Sequence, residues 1–151
     1  MKPTMKSIWK LFVAFALILS FNASYAANEG ISIKPQGNDP YKVYKDWFMH
    51  IETKDHIEIS SRIVQCEMGG GKQIHLFIFN EAEAKTFRFE LTVTNNEDNK
   101  TFTREITVKA ARAQMFIASC DNTDKVLNQF KIDLPVDYNP EKTTVTVAIL
   151  N

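Results

Sequence analysis

Between residues 86 and 94, Phe87, Phe89, Leu91 and Val93 alternate with Thr86, Arg88, Glu90, Thr92 and Thr94. This is the period-two pattern of a strand with one dry face and one wet face. A second run over residues 101–108 follows a hexapeptide built of Asn, Asp, Glu and Lys. Those side chains bond their own backbone and tolerate left-handed turns. The pattern predicts a β-hairpin with a solvated outer face.

The rest of the chain extends the same picture. Residues 47–52, with Trp47, Met49 and Ile51 on one face, and residues 57–64, with Ile57, Ile59 and Ile63 on one face, alternate as half-buried strands and predict a second hairpin. Its simplest pairing sets His50 opposite Ile59. Gly69, Gly70 and Gly71 then interrupt as a loop. Residues 73–80 are apolar on both faces from Leu76 onward, which predicts a strand central in its sheet. Residues 114–119 and 126–134 are further strand candidates, and residues 143–150 close the series, with Val145, Val147 and Ile149 alternating against threonines and Ala148. Upstream, residues 31–34 read as a short edge strand. Asp39 and Pro40 read as the cap of one helical turn over residues 41–45.

Many short strands separated by turn signals, with no long helical period, predict an all-β fold. Uneven strand lengths and unequal links favour an Ig-like antiparallel β-sandwich of about 7–8 strands over a closed barrel.

The first residues change the picture of where the domain resides. Lys2, Lys6 and Lys10 precede an apolar run over residues 11–19, no charge occurs before Glu29, and Ser24 and Ala26 put small residues at the −3 and −1 positions of a cleavage site. This is the layout of a signal peptide. The apolar run over residues 8–21 falls short of the about 20 residues that a membrane-spanning helix requires. The expected organisation is therefore a signal peptide at 1–26, an exposed N-terminal leader at 27–45 and a β-sandwich domain at 46–151. No cysteine lies near the cleavage point to carry a lipid anchor, so a periplasmic or extracellular location is expected. The whole chain carries 18 basic and 18 acidic residues, and loss of three lysines leaves it mildly acidic without a basic patch. Nucleic acid is excluded as an expected partner.

Candidate chemistry is sparse. Cys66 and Cys120 are the two cysteines, and in an oxidising compartment they are expected to pair; neither sits in a Cys-x-x-Cys motif. A copper-type cluster of His50, His75 and Met49 or Met68 is opposed by strand geometry, because neighbours Met49 and His50 point to opposite faces. Ser60, Ser61 and Ser119 have no His or acid placed beside them by spacing, and no Gly-x-Ser-x-Gly elbow exists. Glu58, Glu90 and Glu105 could pair as hydrolytic carboxylates, but a wet sheet face shared with Arg88, Arg104 and Lys109 accounts for them. Residues 69–72 lack the P-loop spacing. Asn99, Lys100 and Thr101 match a glycosylation acceptor. Tyr41, Tyr44, Trp47 and Phe48 crowd into one stretch, either stacking on a sugar or peptide or covering an open end of the sandwich.

With Trp47, Ile57 and Ile59, Cys66, the strand 76–80, and Ala118-Ser119-Cys120 in that order, the chain resembles small secreted proteins of Bacteroidota-type bacteria over residues 46–150. The resemblance implies a small Ig-like sandwich and carries no activity and no catalytic residue. The expected function is an exported, non-enzymatic binding module of the cell envelope or secretome, engaging a protein or an envelope glycan without a cofactor. The alternatives are a small periplasmic hydrolase using carboxylates and a periplasmic metal-binding protein.

Overall fold

The computed structural model describes residues 40–150. The expected signal peptide, the strand expected at 31–34 and the part of the expected leader before Pro40 lie outside the described residues.

Among the described residues eight strands run in chain order: β1 Lys42–Lys54, β2 Ile57–Gln65, β3 Lys72–Asn80, β4 Lys85–Asn95, β5 Lys100–Ala110, β6 Gln114–Ile117, β7 Lys131–Asp133 and β8 Thr143–Leu150, with one short helix, α1 Lys125–Asn128, before β7. They form two antiparallel sheets. One has the order β1-β2-β3-β6, with β7 sharing the far edge of β3; the other has the order β5-β4-β8. The fold is an all-β sandwich.

The predicted alternation positions the core. Phe89, Leu91 and Val93 of β4 are fully buried and Phe87 nearly so, and they join Ile57, Ile59 and Ile63 of β2 and Ile74, Leu76 and Ile78 of β3 in one apolar cluster. Burying each such side chain contributes about 1.5–3 kcal/mol. On the wet face of β4 and β5, Arg88 and Glu105 form an ion pair at 2.9 Å between half-exposed side chains. β3 is central, as its apolar run predicts.

Two expectations are corrected. Residues 42–45 are the start of β1 and not a helical turn, with Lys42 against Gln65, Val43 against Val64 and Lys45 against Ile63. A Pro-initiated turn is worth little on its own, and the open edge of β2 offers backbone partners that a single turn lacks. The sheet thus begins four residues inside the segment assigned to the leader. Residues 126–134 are not one strand: Asp124 Oδ1 accepts from Val126 N at 2.7 Å and caps α1, so only Lys131–Asp133 remains extended.

β1 and β2 are joined by Asp55 and His56, whose φ values of 54° and 59° are those of a two-residue type I′ hairpin turn. Cys66 and Cys120 are bonded, with Cα atoms 5.4 Å apart. Since Cys66 follows β2 and Cys120 follows β6, the bridge ties segments on either side of β3. Among the described residues, no helix is long and apolar enough to cross a membrane.

Candidate binding cleft

β1 is an irregular edge strand. Its pairing with β2 slips between Val43 and Lys45, Lys45 and Phe48, Met49 and Ile51, and Ile51 and Lys54. Each bulge re-aims the side chains that follow it. The simple alternation of Trp47, Met49 and Ile51 is therefore broken: Met49 is 46% exposed, and Phe48, opposite Ser61, is 66% exposed.

The re-aimed residues form one wall of a cleft of about 450 Å³. Lys45, Trp47, Phe48 and His50 line it from β1, Ser61, Arg62 and Ile63 from β2, and Thr143, Thr144 and Val145 from β8 of the other sheet. It is the open seam of the sandwich. The Lys45 ammonium donates to the Thr143 carbonyl and ties the two sheets at its inner end. Trp47 is held edge-on to Phe77 with centroids 6.3 Å apart, and the Arg62 guanidinium lies 4.7 Å over its ring. Phe48 meets the His50 imidazole edge to face, with ring centroids 5.1 Å apart.

In this wall His50 Nε2 lies 2.7 Å from Ser61 Oγ. Simple alternation sets His50 opposite Ile59, and residue spacing places no His beside Ser61. Ile51 takes the place opposite Ile59, because a bulge between Met49 and Ile51 shifts His50 toward Ser61. A histidine on a serine is the start of a nucleophile–base pair. Ser61 is however only 4% exposed. Among the described residues no carboxylate is hydrogen-bonded to His50, so the pair ties β1 to β2. Burial lowers the His50 pKa, which keeps the imidazole neutral at ordinary pH.

Of the four aromatic residues singled out from the sequence, the fold brings Trp47 and Phe48 together in the cleft. Tyr41 precedes β1 and is exposed. Tyr44 packs against the core, its hydroxyl donates to Gln65 Oε1 at 3.0 Å, and Lys42 Nζ sits 4.3 Å over its ring. Spacing missed Lys45, Ser61, Arg62 and Thr143 to Val145 as lining residues, since no sequence signal announces a bulge or which strands meet across the seam.

A second polar cluster surrounds the disulfide. His75, fully buried, has Nδ1 3.5 Å from Arg62 Nη2 and Nε2 3.3 Å from Gln73 Oε1. Arginine only donates, so Nδ1 accepts and Nε2 carries the proton. Burial first, then the positive charges of Arg62 and Lys131, push the His75 pKa down to about 4. The Cys66 and Cys120 sulfurs and His75 offer ligand atoms within 4.8 Å of one another, yet the sulfurs are bonded together and supply no thiolate. Met68 is exposed in the loop before β3, and His50 is engaged at Ser61, so the histidine–methionine cluster is not assembled. Glu90 and Glu105 stand directly opposite each other on β4 and β5, outside the cleft.

Comparison with family models, with curated proteins and with solved structures gave no match.

Proposed function

We propose that this chain is an exported, non-enzymatic binding module of the bacterial cell envelope or secretome, which engages a protein or envelope-glycan partner at the seam between β1 and β8. The observation that carries this reading is the aromatic wall: Phe48, 66% exposed beside a braced Trp47, lines a cleft of about 450 Å³. Leaving a large ring in water is unfavourable, and burying it against a partner gains about 1.5–3 kcal/mol. Two features support export: the basic, apolar and small-residue layout of residues 1–26, and a disulfide, which persists in oxidising compartments.

The test is a pull-down from envelope and culture fractions with wild type, Phe48→Ser and the control Met115→Ser, which removes a comparably exposed apolar side chain (47%) on β6. A specific partner retained by wild type and the control but lost with Phe48→Ser is the expected result. Equal capture by all three proteins, or none by any, would overturn it.

A further inference from the structure

Among the described residues, the sandwich blunts each of its strand edges except one. β1 is broken by bulges and carries Lys42, Lys45 and Asp46. β5 carries Lys100, Arg104, Glu105 and Lys109, and Arg104 stands opposite the core residue Leu91. β6 has 4 residues and β7 has 3. Bulges, charges and short lengths are the devices by which sheets avoid pairing with another chain. β8 has none of these. Its sequence, Thr-Thr-Val-Thr-Val-Ala-Ile-Leu, contains no charge, no Pro and no Gly, and its pairing with β4 runs without a slip from Thr143 opposite Asn95 to Leu150 opposite Arg88. Among the described residues, β4 is its one strand partner.

The direction of its free backbone groups follows from the ladder. Asn96 N donates to Lys142 O at 3.1 Å, so residues 96 and 142 form a hydrogen-bonded pair. Such pairs alternate along an antiparallel ladder. Thr144, Thr146, Ala148 and Leu150 therefore bond toward β4, while Thr143, Val145, Val147 and Ile149 turn their N–H and C=O groups outward. The Lys45 ammonium on the Thr143 carbonyl agrees with this and closes that end. The free edge is Val145, Val147 and Ile149.

We propose that β8 pairs with β8 of a second copy of this chain, antiparallel across a two-fold axis at Val147. The two three-stranded sheets then become one of six strands. Val147 bonds to its own counterpart, and Val145 bonds to Ile149 of the second copy. Thr146 stands opposite Ala148 and Thr144 opposite Leu150, so every facing pair is uncharged and no like charges meet. An edge without charge rewards an uncharged strand of the same length, and the second copy supplies one. The pairing uses both free edges and closes as a dimer. Thr143, Thr144 and Val145 also line the cleft, so the added strand extends its rim.

Thr146 is exposed on the outer face beside Thr92, so a charge there leaves the fold intact. In the dimer the two Thr146 side chains lie diagonally across the axis, within reach of long side chains. The experiment is sedimentation of the purified protein over a concentration series, with Thr146→Lys, Thr146→Glu and their equimolar mixture. The wild-type mass is expected to rise toward twice the monomer. Each variant alone should dimerise about tenfold or more weakly, and the mixture should recover the dimer. A wild type that stays monomeric, open-ended oligomers, or variants that dimerise like wild type would overturn the pairing. So would a monomer whose Val145 and Val147 amides resist hydrogen exchange, because another occupant would then hold the edge. Any of these results leaves the Phe48→Ser capture result standing, so the two readings fail separately.

Discussion

His75 should govern much of the acid limb of stability. It is fully buried against the disulfide, its Nε2 3.8 Å from Cys66 Sγ, and its pKa falls from 6.5 to about 4. In the unfolded chain the imidazole protonates below pH 6.5; in the folded chain it stays neutral until about pH 4. The unfolded state therefore binds one more proton throughout that window, and stability falls as the pH is lowered. A shift of this size corresponds to about 3 kcal/mol lost by pH 4, at about 1.4 kcal/mol per pH unit. Urea unfolding from neutral pH down to about 4, comparing wild type with His75→Leu, isolates the effect, because carboxylates titrate in both proteins. The variant should start less stable, since Gln73 and Arg62 each lose one contact, but its stability should decline more gently between pH 6.5 and 4. Parallel pH profiles for the two proteins would refute the assignment of a neutral, buried His75.

Replacing Cys66 and Cys120 together by Ala should cost about 4 kcal/mol, because the bridge closes a loop of 54 residues; a denaturant midpoint that implies less than about 1 kcal/mol would contradict this. Asn80→Ala should cost about 3 kcal/mol in the same assay, since its side-chain amide donates to the carbonyls of Ala82, Glu83 and Ala111 and ties two loops. Changing Asp55 to Asn and His56 to Gly should raise stability by about 1 kcal/mol, because both positions hold positive φ; an unchanged thermal midpoint would count against a strained turn.

Much of the fold was legible where the side chains alternate strictly. Phe87 to Val93 announced β4, and the hairpin to β5 followed from the Asn- and Asp-rich link. The cysteines were expected to pair, although only the fold shows that their segments meet. Legibility ended where tertiary pairing overrode local signals. Asp39 and Pro40 pointed to a helical turn, but the end of β2 recruits residues 42–45 into its ladder. Val126 resembled a strand residue until Asp124 capped a turn of helix over it. The cleft was half legible. Trp47 and Phe48 stood out as aromatic neighbours, whereas the contact of His50 with Ser61 depends on a bulge that leaves no trace in residue spacing.

The central claim is that the seam between β1 and β8 is where this protein meets its partner. Site-specific photo-crosslinking tests it most directly. A benzophenone side chain placed at Phe48, which is already a large exposed ring, should yield a discrete protein or glycan adduct in envelope or culture fractions. The same group at Lys109, on the far strand β5, should yield none. An adduct of equal strength from both positions, or one from Lys109 alone, would contradict the account.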